Sequence, residues 1–372
     1  MDSSATLRTV RVWDLPTRAF HWLLVLLVAT GTLTGLVSPE WWMGVHMWAG
    51  YAVVGLIAFR LVWSVYGSEY SRVASFAYGP RRVVEYLEGL LLLRPAHHIG
   101  HNPAGAAMIF ALALLLVALT ATGLVELAGE EKQGPFAGVV SYEIGNAMKE
   151  VHGALADLLL ILVGAHVLAV VAHIALTRDN VVKAMITGDK ILPAGTPLPT
   201  PRPARPGRAA AAMAAIVAVA GSALAYLGAL PPLGLRALPE NAAYAKECGA
   251  CHDAYHPSLL PAAAWRAVMA DLGDHFGDDA SLAEPLRADI AGWLAANAAE
   301  TWDTEAANRF RSLDPEQPMR ITATPYWRLK HGEIPAAQFT LKSVRSKANC
   351  SACHGDAATG RFDDQAISPP KE

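Results

Sequence analysis

All four cysteines of the 372-residue chain fall in two copies of one pattern, Cys248-Gly-Ala-Cys251-His252 and Cys350-Ser-Ala-Cys353-His354. Two thiols at this spacing can add to both vinyl groups of one porphyrin, and the next residue offers its iron an imidazole. Each copy therefore reads as a covalent attachment site for haem c. C-x-x-C alone also serves zinc sites and redox dithiols, but here His stands in register twice and no other cysteine exists. The same region holds three more histidines, His256, His275 and His331. His256 follows His252 by only four residues, too few to carry the chain round a porphyrin to its other face. His275 lies 23 residues beyond His252 and His331 lies 23 before His354, which leaves room to cross. The expected axial pairs are His252 with His275 on the first haem c and His354 with His331 on the second. Met269 and Met319 are the alternative donors.

A second set of histidines lies in or beside apolar stretches: His21, His46, His152, His166 and His173. Imidazole within a bilayer is costly enough to imply a task. His152 and His166 are 14 residues apart, about 21 Å of helical rise and about 40° short of four turns, so both share one helix face. Pairing by depth sets His46 with His152 at the outer side and His21 with His166 at the inner side. The pairs would hold two non-covalent haems b. Hydrogen bonding between helices is the plainer alternative, and neither pair brings the Cys or carboxylate partners of a zinc or copper site. His173 competes with His166 on nearly the same face, but pairing it with His152 would part the irons by about 31 Å. Arg60, 14 residues after His46, faces an inner haem propionate or snorkels to the headgroups. His97, His98 and His101 form a solvated inner loop or line a quinone or proton path. Trp41, Trp42 and Trp63 suit interfacial anchors.

The elements that must position these groups follow from composition. Hydrophobic residues make up 53% and charged residues 17%, against about 25% charge in ordinary globular chains. Mean hydropathy is +0.28. Charge-poor runs cover Ala19–Pro39, Trp41–Phe59, Pro103–Val125, Leu158–Thr177 and Ala209–Leu235, each near the roughly 20 residues a bilayer-crossing helix needs. Five transmembrane helices are predicted, which excludes a wholly water-soluble enzyme. Residues 1–236 carry 17 Lys or Arg against 14 Asp or Glu, whereas residues 237–372 carry 13 against 19, so the second part reads as an acidic, water-exposed domain. No dense basic patch or reader motif supports nucleic-acid binding.

Basic residues gather before the first helix (Arg8, Arg11, Arg18), after the second (Arg72, Arg81, Arg82, Arg94) and after the fourth (Arg178, Lys183, Lys190, Arg202, Arg205, Arg208). The other two loops hold only Lys132 and Lys149. This asymmetry puts the N-terminus in the cytoplasm of a bacterial inner membrane and the C-terminal domain in the periplasm, the side on which haem c is attached. The first helix then acts as an uncleaved anchor. The expected fold is all-α: a four-helix bundle over residues 1–191, a Pro-rich cytoplasmic linker over 192–207, a fifth crossing over 208–235 and a small, mostly helical dihaem c domain over 236–372. Leu286, Ile290, Trp293 and Leu294 predict one of its helices within Leu282–Asn297. No internal repeat is apparent.

Two resemblances add to this reading. CGACHDAYHPSLLPAAAWRAVMADLGDHFGDDASL, RITATPYWRLKHGEIPA and NCSACHGDAATGRF resemble the dihaem cytochrome c family. This implies two covalent haems with His on both axial sites, at His275 and His331 besides the motif histidines, and electron delivery in some members to a small monohaem cytochrome. His256 departs from that family, where an apolar residue or Pro is expected. VWDLPTRAFHWLLVLL, HMWAGY, FRLVWSVYGSEYSR, YLEGLLLLRPAHHIGHNPAGAAM, VHGALADLLLILVGAHVLAVV and DNVVKAMITGDK resemble the bacterial cytochrome b561 family over residues 10–190. That implies a four-helix bundle with haem b ligands at His21, His46, His152 and His166. Asp157 stands where Asn is expected, and reads best as a neutral acid hydrogen-bonded between helices.

Together these features predict a membrane-bound tetrahaem cytochrome of a respiratory electron-transport chain. It would carry electrons from quinol through two haems b and two haems c to a periplasmic acceptor such as a small cytochrome c. Quinol:cytochrome oxidoreductase activity would be its enzymatic form, with quinone as a further ligand and oligomers compatible. Two alternatives stand beside it: a terminal reductase of oxygen or superoxide, which needs an open axial site, and a membrane subunit docking a larger dehydrogenase or hydrogenase. No Ser/His/Asp triad, phosphate loop or dinucleotide fingerprint points to a second activity.

Overall fold

The computed structural model describes residues 7–92, 96, 98–200 and 202–370; Arg94 and His97, named above, lie outside the described residues. It divides into two compact units, each assembled from three stretches: 1–38, 45–123 and 150–224 in one, 39–44, 124–149 and 225–372 in the other.

The first unit opens with β1 (Leu7–Arg11) and α1 (Leu15–Leu36). Asp14 starts α1 as its N-cap, accepting from the Thr17 amide at 2.9 Å, with Pro in the first turn, where its missing N–H costs nothing. The other Asp14 oxygen accepts from Trp63 Nε1 at 3.0 Å, Ser68 Oγ at 2.7 Å and Ser71 Oγ at 3.0 Å. One carboxylate thus ties the start of α1 to the end of α2 (Met43–Tyr66). Trp63, expected as an interfacial anchor, is instead buried and held by this carboxylate.

After α3 (Pro80–Leu91), α4 (Pro103–Gly129) and α5 (Tyr142–Thr177) supply the longest helices. α6 (Val181–Thr187) leads to β2 (Asp189–Pro193), which pairs antiparallel with β1 from Leu7↔Pro193 to Arg11↔Asp189. α7 (Pro206–Gly228) packs Ala209 against Val62 and Trp63 of α2.

Five described helices are long and apolar enough to cross a membrane. Val53, Leu115, Leu116, Leu119 and Leu159 form the packed centre of the bundle, while Leu114, Ile161 and Leu168 are 66–72% exposed. A contiguous apolar exterior of this kind suits lipid rather than water. α5 starts 16 residues before the expected Leu158, so His152, His166 and His173 ride on one uninterrupted helix. α7 stops at Gly228, short of the expected Leu235, because Pro231 and Pro232 cannot continue it.

In the second unit α8 (Ala242–Cys248), α9 (Ala262–Ala270) and α10 (Glu284–Ala296) enclose Tyr244, Trp265, Met269, Ile290 and Leu294. α11 (Glu305–Arg309) and α12 (Pro325–His331) contribute to a second cluster of Leu259, Ala306, Phe310 and Trp327. Segments 39–44 and 124–149, which carry the ends of α2, α4 and α5 and which the sequence assigns to the bundle, belong to this unit. Asp303 Oδ2 receives Lys132 Nζ at 2.7 Å and the Tyr142 amide at 2.9 Å. Lys330 pairs with Glu40 at 2.7 Å, and Arg361 donates to the Glu131 carbonyl at 2.8 Å. With the Lys132 side chain 1% exposed, its ion pair is shielded from water and salt.

Candidate functional site

The structure brings three of the four expected histidine pairs together. Ring centroids are 6.2 Å apart for His252 and His275, 6.0 Å for His331 and His354, and 6.1 Å for His46 and His152. The His21 ring is set edge-on to Trp22 at 5.1 Å. An iron held between two imidazole nitrogens, each about 2 Å away, sets ring centroids roughly 6 Å apart. The described residues contain no group of three or more His, Cys, Asp or Glu side chains arranged for a bare metal ion. The donor set of isolated imidazole pairs fits haem and not zinc.

Hydrogen bonds turn the rings. In the bundle, His46 Nδ1 donates to the Gly31 carbonyl at 3.0 Å and lies 3.3 Å from Thr34 Oγ1. His152 Nδ1 donates to the Leu119 carbonyl at 3.1 Å and lies 3.2 Å from Thr122 Oγ1. A carbonyl can only accept, so each Nδ1 carries the proton and each Nε2 keeps its lone pair for a metal. The two cradles are built alike, from Thr32-Leu33-Thr34-Gly35 on α1 and Thr120-Ala121-Thr122-Gly123 on α4. A Cβ at Gly35 or Gly123 would stand 3.0 Å from Cε1 of the facing imidazole, so only glycine lets each ring sit this close. This repeated T-x-T-G is the signal that the sequence reading passed over.

In the second unit His252 Nδ1 donates to the Asp253 carbonyl at 2.7 Å and His331 Nδ1 to the Trp327 carbonyl at 3.0 Å. Burial, with the neighbouring His331, holds His354 down at about 4, so it stays the neutral imidazole an iron needs. His275 enters from a tight turn in which Phe276 has φ 59° and Gly277 φ 105°. The two attachment motifs are knitted together: Asp253 accepts from the Ser351 amide at 3.0 Å and Ser351 Oγ at 3.2 Å, and Tyr255 donates to the Ala348 carbonyl at 2.9 Å while stacking on His252 at 4.8 Å. All four cysteines are free. Burial pushes the Cys248 and Cys353 thiols up, and burial with Asp253 pushes Cys350 to about 11, the opposite of an activated redox dithiol.

The other candidates find different tasks. His173 Nε2 lies 3.9 Å from Asp179, which also binds Lys190 at 2.7 Å; it is drawn to the loop after α5. His256 is 3% exposed, bonded through Nδ1 to Ser258 Oγ at 2.7 Å and set edge-on to Trp302 at 4.6 Å. It closes against Gly360, whose φ of +69° and contact with this ring exclude a side chain. Met269 and Met319 pack in the apolar core. Asp157, expected to be hydrogen-bonded between helices, is exposed. Arg60 donates to the Ser71 carbonyl at 2.9 Å and lies 5.9 Å over Phe76. His98 donates to the Ala96 carbonyl. His101, expected on a solvated surface, is wedged between Trp13 and Phe76 at 4.5 and 4.6 Å, and burial with Arg60 and Lys190 holds it at about 3.

Comparison with known proteins matches both parts of the chain. Residues 12–188 match the prokaryotic cytochrome b561 family and residues 244–362 the dihaem cytochrome c family. The probable Ni/Fe-hydrogenase 1 B-type cytochrome subunit of Escherichia coli (strain K12) is 29% identical over 212 residues, 48% of this chain and 88% of that protein. The probable Ni/Fe-hydrogenase B-type cytochrome subunit of Rhizobium leguminosarum bv. viciae is 24% identical over 214 residues, 50% of this chain and 90% of its own length. Among solved structures, the diheme cytochrome c from Rhodobacter sphaeroides is 41% identical, covering 34% of this chain and 100% of that one with a TM-score of 0.29. That from Shewanella baltica is 39% identical, covering 36% and 94%, again with a TM-score of 0.29. Haem b and haem c are the cofactors these families imply. The chain is a membrane electron-transfer protein that belongs to the prokaryotic cytochrome b561 family over residues 12–188 and to the dihaem cytochrome c family over residues 244–362.

Proposed function

We propose that the chain carries electrons from the quinol pool of a bacterial inner membrane to a periplasmic acceptor such as a small cytochrome c, using two haems b and two haems c. The observation that carries this is the fusion itself: one polypeptide joins a b561 bundle to a dihaem cytochrome c. Each part holds imidazoles facing at about 6 Å. Haem iron supplies one-electron exchange between its ferric and ferrous states.

The residues supply position and environment. His21 with His166 and His46 with His152 are the proposed haem b ligands; His252 with His275 and His354 with His331 are those of the haems c. Cys248, Cys251, Cys350 and Cys353 tether the porphyrins. Val53, Leu115 and Leu159 exclude water between the two bundle sites, which lowers the reorganisation that each change of iron charge demands. Arg60 stays within the inner end as a positive charge anchored on Ser71.

The test is spectroscopic. Decylubiquinol added to the purified chain should reduce b-type and c-type bands alike, with no carbon monoxide adduct. No reduction overturns the quinol reading, and carbon monoxide binding would favour a reductase. A second reading is favoured by the relatives described as hydrogenase B-type cytochrome subunits: the bundle receives its electrons from a docked oxidoreductase. Reduction that required such a partner and not quinol would select it.

A further inference from the structure

A cleft of about 500 Å³ opens between the first turns of α5 and residues 308–329, lined by Tyr142, Glu143, Asn146, Arg309, Tyr326 and Leu329. The Arg309 guanidinium lies 5.8 Å over the Tyr142 ring and 5.9 Å over that of Tyr326, and donates to Asn146 Oδ1 at 2.7 Å. Behind this wall stand buried carboxyls. Glu305 is 9% exposed, and burial together with this carboxyl pushes the Tyr326 phenol up. The Glu130 side chain is 3% exposed and pairs with Lys149 through Oε2 at 2.8 Å, while its Oε1 is buried with no partner. Burial pushes Glu130 up against the pull of Lys149. An enclosed carboxylate oxygen without a donor is expensive, and a proton is the simplest thing that relieves it.

We propose that this cleft binds the head group of a quinol. The proposal rests on the quinol reading above and gives it a place. A quinol ring entering the cleft would meet the Arg309 guanidinium, held between the Tyr142 and Tyr326 rings, and the remaining N–H groups of Arg309 and of the Asn146 amide can donate to its oxygens. The volume falls within the range of small-molecule pockets. Asn146 precedes His152 by six residues on α5, and Tyr326 precedes His331 by five on α12, so the cleft sits on two helices that also carry proposed haem ligands. Oxidation of a bound quinol to quinone breaks two O–H bonds. Haem, when bound, would supply the acceptor for the two electrons, taken one at a time, and the two protons would go to Glu130 and, by way of Tyr326, to Glu305.

The experiment is calorimetric titration of decylubiquinone into the full-length haem-loaded protein in phosphatidylcholine nanodiscs. Arg309→Gln and Asn146→Ala should each weaken binding about tenfold, the worth of one charge-assisted hydrogen bond, with visible spectra and haem content unchanged. Should Arg309→Gln fail to accumulate, Asn146→Ala decides alone. Glu305→Gln should slow haem reduction by decylubiquinol more than it changes the dissociation constant. Wild-type binding that both wall variants leave intact overturns the cleft while sparing the quinol reading. Absence of wild-type binding overturns both. Loss of decylubiquinone binding when phosphatidylglycerol replaces phosphatidylcholine gives the cleft to a lipid headgroup and likewise overturns the proposal.

Discussion

An imidazole that binds iron must be neutral and must present one nitrogen while the other is engaged. His46 and His152 each have Nδ1 engaged by a backbone carbonyl, whereas His173 turns to a carboxylate and His256 to a serine. Replacing His166 by Ala should therefore remove one haem b, and His173→Ala should leave the haem content whole by pyridine haemochrome. Loss of haem from the His173 variant would overturn the assignment. His275→Ala and His331→Ala should each keep covalent haem but convert one centre to a high-spin, carbon monoxide-binding form. His256→Ala should leave the spectra unchanged and cost about 1–3 kcal/mol of stability, the penalty for unpairing a buried group, read as a lower Tm.

At the scale of elements, the Asp14 carboxylate governs how α1 leaves the strand and meets the end of α2. Burial alone would raise it above 3.8, but hydrogen bonds from Thr17, Ser68 and Ser71 outweigh burial and hold it below. Its contribution is thus fully present above the ordinary carboxylate value and is lost as pH falls through the depressed one. Asp14→Ala should destabilise the bundle on the order of 2 kcal/mol, from a lost cap and orphaned donors. The difference should vanish in acid thermal melts and persist at neutral pH; a loss equal at both would refute this account.

The sequence already carried the 14-residue step between His152 and His166 and both C-x-x-C-H motifs, because each is local or periodic. It did not carry the embrace of Trp63 by Asp14, 49 residues away, or the twin T-x-T-G cradles. A four-residue motif of small side chains means little until helix packing shows which imidazole it faces. The burial of His101 stayed hidden for the same reason: its neighbours Trp13 and Phe76 come from distant parts of the chain.

For the whole molecule, the three basic segments, read as cytoplasmic, predict that the C-terminal domain lies outside. Protease admitted to the periplasm should cut within residues 237–372 and spare 199–207, and deleting residues 206–228 should leave a C-terminal domain without covalent haem. Mature haem c in that deletion would contradict the topology. The seam between the two attachment motifs bears on biogenesis. Asp253 and Ser351 are 98 residues apart, so their bonds close a long loop whose entropy cost is repaid only when both ends are ordered. With haem attached at both motifs, the seam is expected to close only after the second attachment, and a precursor halted at one haem should be cut by protease more readily than the mature protein.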